Sequence, residues 1–177
     1  MREGRDSNQK NGFTGNTAHG MDSGINSAHA YNLSIGFLAP RARSVNEMRE
    51  YLVKKGFDEN ILVDTINRLI REKLLDDRAF AAQFVEHRER LNPKSRFALK
   101  FELKKKGIDS TIIEESLVDI DEFRSAWHGV ESKLRTWQSC DDDKFKKKVM
   151  NFLKNRGFGY EVSISTFEKA YEKRHHG

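Results

Sequence analysis

A chain of 177 residues can hold one domain of ordinary size, and its 37% apolar and 33% charged residues favour thin helical layers over a deep globular interior. The single cysteine, Cys140, excludes an intramolecular disulfide, and no apolar run approaches the ~18 residues of a membrane span. Net charge is +5, yet residues 1–39 hold three basic and three acidic side chains, so the whole excess lies in 40–177 and favours a polyanionic partner.

The first 27 residues are rich in Gly, Asn and Ser and poor in aliphatics. Such a segment buries too little apolar surface to offset its ordering entropy, and it reads as disordered. Residues 28–40 place Tyr31, Ile35 and Leu38 at helical spacing, a short helix ending near Pro40 and weakened by Gly36. "SVNE" at 44–47 is a capping box, followed by the apolar stripe Val45, Met48, Leu52 and Val53, which Gly56 stops. Asp58 is placed to cap the next helix, with Ile61, Leu62, Thr65, Ile66, Leu69 and Ile70 inward. After "LLDD" (74–77) a third helix carries Phe80, Phe84, Val85, His87 and Leu91. Asn92-Pro93 suits the start of the next helix, which ends at Gly107. Asp109 caps a helix with Ile112, Ile113, Leu117 and Ile120, and Phe123, Trp127, Val130, Leu134 and Trp137 mark another. The acidic run Asp141–Asp143 precedes a helix ending at Gly157, and Val162, Phe167, Ala170 and Tyr171 mark the last.

One phrase recurs: "EYLVKKGF" at 50–57, "FELKKKGI" at 101–108 and "NFLKNRGF" at 151–158. Each supplies a glycine able to take the left-handed conformation that ends a helix. The apolar residue after it can fold back on the leucine four before the glycine, pairing Phe57 with Leu52, Ile108 with Leu103 and Phe158 with Leu153. Apolar residues also recur eight before each glycine (Met48, Leu99, Val149) and five after (Ile61, Ile112, Val162). The expectation is an all-α, elongated, curved array of tandem three-helix repeats, each about 50 residues long. The expected divisions are a disordered or weakly helical tail over 1–38 and repeats over 39–91, 92–140 and 141–177.

No phosphate loop, dinucleotide-binding turn or H-E-x-x-H helix occurs in the sequence. His87 and His128 stand apart from other ligand types, and Asp76 and Asp77 sit where a helix must start, so they read as caps. The expectation is a protein that is not an enzyme, with no cofactor and no metal. The basic residues say more. Lys94, Arg96, Lys100, Lys104, Lys105 and Lys106 face one acid, Glu102, within 92–107, and Lys144, Lys146, Lys147, Lys148, Lys154 and Arg156 face none within 144–156. Both clusters fall on the first helix of an expected repeat, so stacking could align them into a stripe that tracks a phosphate backbone or an acidic protein groove. Trp127 and Trp137 follow the apolar pattern and are expected in the core. The aromatics do not interleave with the lysines as in a base-stacking platform, except that Phe101, beside Lys100, could be exposed.

"KLLDDRAFAAQFVEHRERLNPKSRFALKFELKKKGI" (73–108) resembles the signature core of the RecX family, regulators of the RecA recombinase. The resemblance rests on Leu75-Asp76-Asp77, Phe80-Ala81, and Glu102-Leu103 through Lys106-Gly107-Ile108, with "APRARSVNEMREYLVKKGF" (39–57) similar to the family's opening. It departs from the family at "LNPKS", where a glycine is common. What it implies is a cytoplasmic, monomeric protein that lies in the groove of the RecA–single-stranded-DNA filament. There it would inhibit or modulate recombinase, ATPase and coprotease activities in DNA repair, homologous recombination and the SOS response. The implied partners are the RecA filament, single-stranded DNA and double-stranded DNA, without a membrane. Site residues on this reading are the two basic clusters (Lys94, Arg96, Lys100, Lys104, Lys105, Lys106; Lys144, Lys147, Lys148, Lys154, Arg156), with Arg88 and Arg90 flanking the first. A basic DNA-binding module acting without RecA is the alternative, and a helical adaptor for an acidic protein a third reading.

Overall fold

The computed structural model describes the backbone of residues 17–176 and the side chains of residues 26–175. Every regular element among them is a helix: α1 (Thr17–Leu38), α2 (Val45–Lys54), α3 (Glu59–Arg71), α4 (Asp77–Leu91), α5 (Arg96–Lys105), α6 (Ser110–Leu117), α7 (Glu122–Trp137), α8 (Asp142–Lys154) and α9 (Tyr160–His176). The short helix expected over 28–40 is the end of a longer one, and residues 17–27, expected to be disordered, form its first half. Ala30 and Ser34 are buried, and Tyr31 reaches Glu72 at the end of α3, so α1 is held by tertiary packing that composition does not reveal. The rest of the expected disordered stretch, 1–16, lies outside the described residues.

The three recurring phrases are three identical helix stops. Gly56, Gly107 and Gly157 have φ of +83°, +75° and +83°. In each, the residue after the glycine donates its N–H to the leucine carbonyl: Phe57 to Leu52 at 3.4 Å, Ile108 to Leu103 at 3.2 Å and Phe158 to Leu153 at 3.2 Å. The glycine N–H bonds the carbonyl three residues earlier, completing the paired 6→1 and 5→2 bonds of a Schellman ending. Those leucines are fully buried.

Starts of helices agree less uniformly with expectation. Ser44 and Glu47 make the reciprocal capping box, and Asp76, Asp109, Asp121 and Asp141 accept N–H groups of their own first turns. Asp58 stands at the cap position of α3 without a capping hydrogen bond. Asn92 closes α4, and Ser95 caps α5, because the Pro93 ring falls in the connection before the helix. At the end of α3, Lys73 takes a φ of +58° where no glycine is available. A left-handed non-glycine residue costs about 1–2 kcal/mol, so Lys73→Gly should stabilise the fold by about 1 kcal/mol, seen as a raised urea midpoint with unchanged slope.

Three cores order the helices. Met48, Leu52, Ile61, Leu62, Ile66, Leu69 and Leu75 close the first with α1. Phe80, Ala81 and Val85 of α4 join Leu99, Leu103, Ile113 and Leu117 in the second. Ala126 and Val130 of α7 join Phe145, Val149, Leu153 and Ala170 in the third. The units are therefore α1–α3, α4–α6 and α7–α9, with the glycine-stopped helix in the middle of each. The expected boundaries at 39–91, 92–140 and 141–177 are one helix out of phase. A glycine period measures the repeat length but not where a repeat begins. Trp127 and Trp137 pack half-buried against the third core, whereas Leu91 and His87 point to solvent.

Candidate polyanion-binding surface

The units are joined end to end through their middle helices. Twelve residues before the glycines stand Ser44 and Ser95, both buried, and each meets the helix stop of the following unit. Ser44 Oγ accepts the Glu47 N–H at 3.1 Å and donates to the Lys106 carbonyl at 2.6 Å. The Ser95 N–H donates to the Arg156 carbonyl at 3.1 Å. A Cβ on Gly107 would fall 2.3 Å from Asn46 Cβ, and one on Gly157 would fall 2.7 Å from Ser95 Oγ. The C-terminal end of α8 thus abuts the start of α5, and the C-terminal end of α5 abuts the start of α2. This order sets partial negative ends of helix dipoles against partial positive ones. At the corresponding place in α8 stands Phe145, fully buried, so the third unit offers no such serine.

Charge completes the joint between the first two units. Asp76 caps α4, while its neighbour Asp77 reaches out of the unit and accepts the Val45 N–H at 2.9 Å. Glu47 accepts from Arg41 at 3.0 Å, from Lys106 at 2.6 Å and from the Ser44 N–H at 3.2 Å. Burial alone would push the Glu47 carboxyl up, but the hydrogen bonds from Arg41, Lys106 and Ser44 outweigh it and hold the pKa at about 2 rather than 4.5. A depressed folded-state pKa means stability that is whole above about pH 4.5 and lost as pH falls through about 2. Burial pushes the Asp77 carboxyl in the opposite direction. Melting temperature should therefore drop over that acid window, and Glu47→Gln should flatten the drop while lowering stability at neutral pH.

The candidate basic residues separate into two groups. In the first, the cation is engaged within the fold. Arg88 and Lys94 share Glu102 at 2.9 and 2.5 Å, and Lys100 pairs with Glu114. Arg96 donates to the Leu117 and Val118 carbonyls at 2.7 and 3.1 Å, closing the end of α6. Lys106 holds Glu47, and Lys144 pairs with Asp141 of its own cap at 2.9 Å. Arg156 lies 3.7 Å above the Phe152 ring and donates to Asn92 at 3.0 Å, fastening the second joint. In the second group, Arg90, Lys104, Lys105, Lys147, Lys148 and Lys154 are exposed and form no ion pair among the described residues, although Lys148 donates to Cys140 Sγ at 3.0 Å and Lys105 lies over the Phe101 ring. Five of these six lie on α5 and α8. Beside α8, Trp137 and Phe152 pack edge to face with centroids 5.5 Å apart, and Lys144, Lys147 and Lys148 line the shallow groove next to them.

Two features of this surface were not legible in the basic clusters. A cleft of about 430 Å³ opens where the first two units meet, lined by Arg41, Phe80, Phe84, His87, Arg88 and Lys106. Arg41 and His87 enter it from separate units, and no local sequence signal links them. The other feature is Phe97, 76% exposed on α5; one turn further on Phe101, expected to be exposed beside Lys100, is 55% exposed. The i, i+4 spacing was visible, but it fits a buried stripe equally well.

Sequence comparison bears on this arrangement directly. The profile of the first three-helix domain of RecX matches residues 30–69, and that of the second three-helix domain matches 76–117, the same grouping the cores show. The regulatory protein RecX of Chlorobaculum tepidum is 39% identical over 146 residues, covering 82% of this chain and 90% of that protein. The chain belongs to the RecX family. The RecX of Chlorobium phaeobacteroides is 37% identical over 144 residues, covering 80% of this chain and 93% of its own. The crystal structure of RecX from Lactobacillus salivarius has a TM-score of 0.69 at 21% identity, covering 83% of this chain and 97% of that one. A second crystal structure of regulatory protein RecX has a TM-score of 0.73 at 19% identity, covering 89% and 80%. Those two likenesses are of fold, an all-α array of three-helix units. No helix among the described residues is long and apolar enough to cross a membrane.

Proposed function

We propose that this chain is a regulator that binds the RecA–single-stranded-DNA filament and inhibits its ATPase, recombinase and coprotease activities, without catalysing a reaction of its own. The observation that carries the reading is the succession of middle helices, α8 to α5 to α2, joined end to end and bearing exposed lysines on all three, most densely on α8 and α5. A tandem array presents many separate weak contacts to a polymer that is itself periodic, so their sum decides binding. Membership in a family whose relatives are regulatory proteins supports the same reading.

The test is RecA's single-stranded-DNA-dependent ATP hydrolysis with this protein added well below the RecA concentration. Strong inhibition is expected, since an effect transmitted along a filament exceeds one-to-one competition. Undiminished hydrolysis even at an excess of the protein, with DNA still bound, would replace this reading by that of a DNA-binding module acting without RecA.

A further inference from the structure

We infer that the outer face of α5 is a stacking platform for unpaired nucleobases, formed by Phe97 and Phe101 and framed by Lys104 and Lys105. This deepens the proposed reading by naming which part of the filament that surface takes: the bases of a single strand. Phe97 is the most exposed large apolar side chain among the described residues, and Phe101 follows one helical turn later on the same side. The Lys105 ammonium lies 4.6 Å from the Phe101 ring centre. Lys104 is exposed beside it, while Lys100 is turned to Glu114.

The repeat supplies an internal comparison. The positions of Phe97 and Phe101, ten and six residues before the glycine, are Asn46 and Glu50 in the first unit and Lys147 and Asn151 in the third. The helix, its cap and its stop form equally well with polar residues there, so the fold does not require aromatic rings. Two phenyl rings left in water carry a standing solvation cost, which a flat apolar ligand relieves. The cations around them select a ligand that is also anionic. Single-stranded nucleic acid has both properties, a π-face on every base and a phosphate on every nucleotide. An apolar protein surface would satisfy the rings but not the lysines, and duplex DNA would satisfy the lysines but not the rings.

Fluorescence anisotropy on the full chain without RecA tests this, so the result stands or falls apart from any effect on RecA. The probes are a labelled oligothymidylate, an abasic oligomer of equal length and a duplex. Base stacking contributes ~1–3 kcal/mol per base, so F97A/F101A should weaken oligothymidylate binding at least about tenfold. Its abasic and duplex affinities should stay unchanged, as should its thermal melt, since both rings face solvent. F97L/F101L, which keeps apolar bulk without a π-face, should behave like the alanine pair, and F97W/F101W should bind as tightly as the parent. The inference is overturned if oligothymidylate and abasic affinities fall together. It is equally overturned if the leucine pair binds like the parent, or if neither pair changes the affinity for oligothymidylate.

Discussion

Reversing four lysines, K104E/K105E/K147E/K148E, should abolish inhibition of RecA's DNA-dependent ATP hydrolysis while leaving the helical content and melting temperature near those of the parent. All four are exposed and none forms an ion pair among the described residues, so their reversal breaks no ion pair of the kind that holds Arg88, Lys94 or Lys106. It costs the fold only the exposed Lys148 hydrogen bond to Cys140 and the Lys105 contact with Phe101. The change also takes the net charge from +5 to −3, which by itself would weaken attraction to any polyanion. The control is therefore R71E/K73E/K133E/R135E, of equal net charge but with its substitutions on or beside α3 and on α7. Inhibition should persist in the control and vanish in the first variant. Loss in both would make the effect one of overall charge, and retention in both would remove α5 and α8 from the interface. Where binding to DNA is measured, the log–log salt slope should become shallower by about one for each lysine–phosphate pairing that the substitutions abolish.

Gly107→Ala should destabilise the protein by several kcal/mol, and Gly56→Ala by far less, although the two glycines close the same phrase with nearly the same φ. Both substitutions force an alanine into the left-handed region, which costs about 1–2 kcal/mol, less the ~0.4–1 kcal/mol gained by restraining the unfolded chain. The difference lies in what surrounds them. The new methyl at Gly56 meets nothing within 4 Å, whereas at Gly107 it overlaps Asn46 Cβ at 2.3 Å. That carbon is bonded to the backbone of α2 and cannot rotate away, so the joint itself must open. Overpacking of this kind typically adds about 1–3 kcal/mol. The parted joint should also weaken the Lys106 hydrogen bond to Glu47, shrinking the acid-window loss of stability described above. Urea denaturation of the two variants side by side is the measurement. Equal losses would mean that the joint is loose enough to absorb the methyl.

The sequence by itself determined the helices that carry their own punctuation. Ser44 with Glu47, Asp76, Asp109 and Asp141 are local starts, and Gly56, Gly107 and Gly157 are local stops, because a cap or a left-handed residue acts within one turn of chain. The tandem character was legible for the same reason: identical stops at nearly constant spacing need no knowledge of distant contacts. The phase of the repeat was not. Whether α4 belongs with α3 or with α6 depends on which face of Phe80, Ala81 and Val85 is buried, and that is a matter of packing across tens of residues. The same limit applies to α1, whose Gly- and Ser-rich beginning has little helical preference and gains its place by packing on α3.

The candidate surface divides along the same line. Net charge and the two lysine clusters were countable, but a lysine that binds outward and one that holds the fold together look alike in a sequence. Lys105 and Lys106 are adjacent, yet one leans over the exposed Phe101 ring and the other crosses to Glu47 of the preceding unit. Phe97 and Leu99 stand two residues apart on one helix, one in solvent and one fully buried. Local chemistry sets which turns are made, whereas tertiary packing decides which side of each helix meets water. The second unit's own core takes Leu99 and leaves Phe97 outside, and the joint to the first unit takes Lys106 and leaves Lys105 outside.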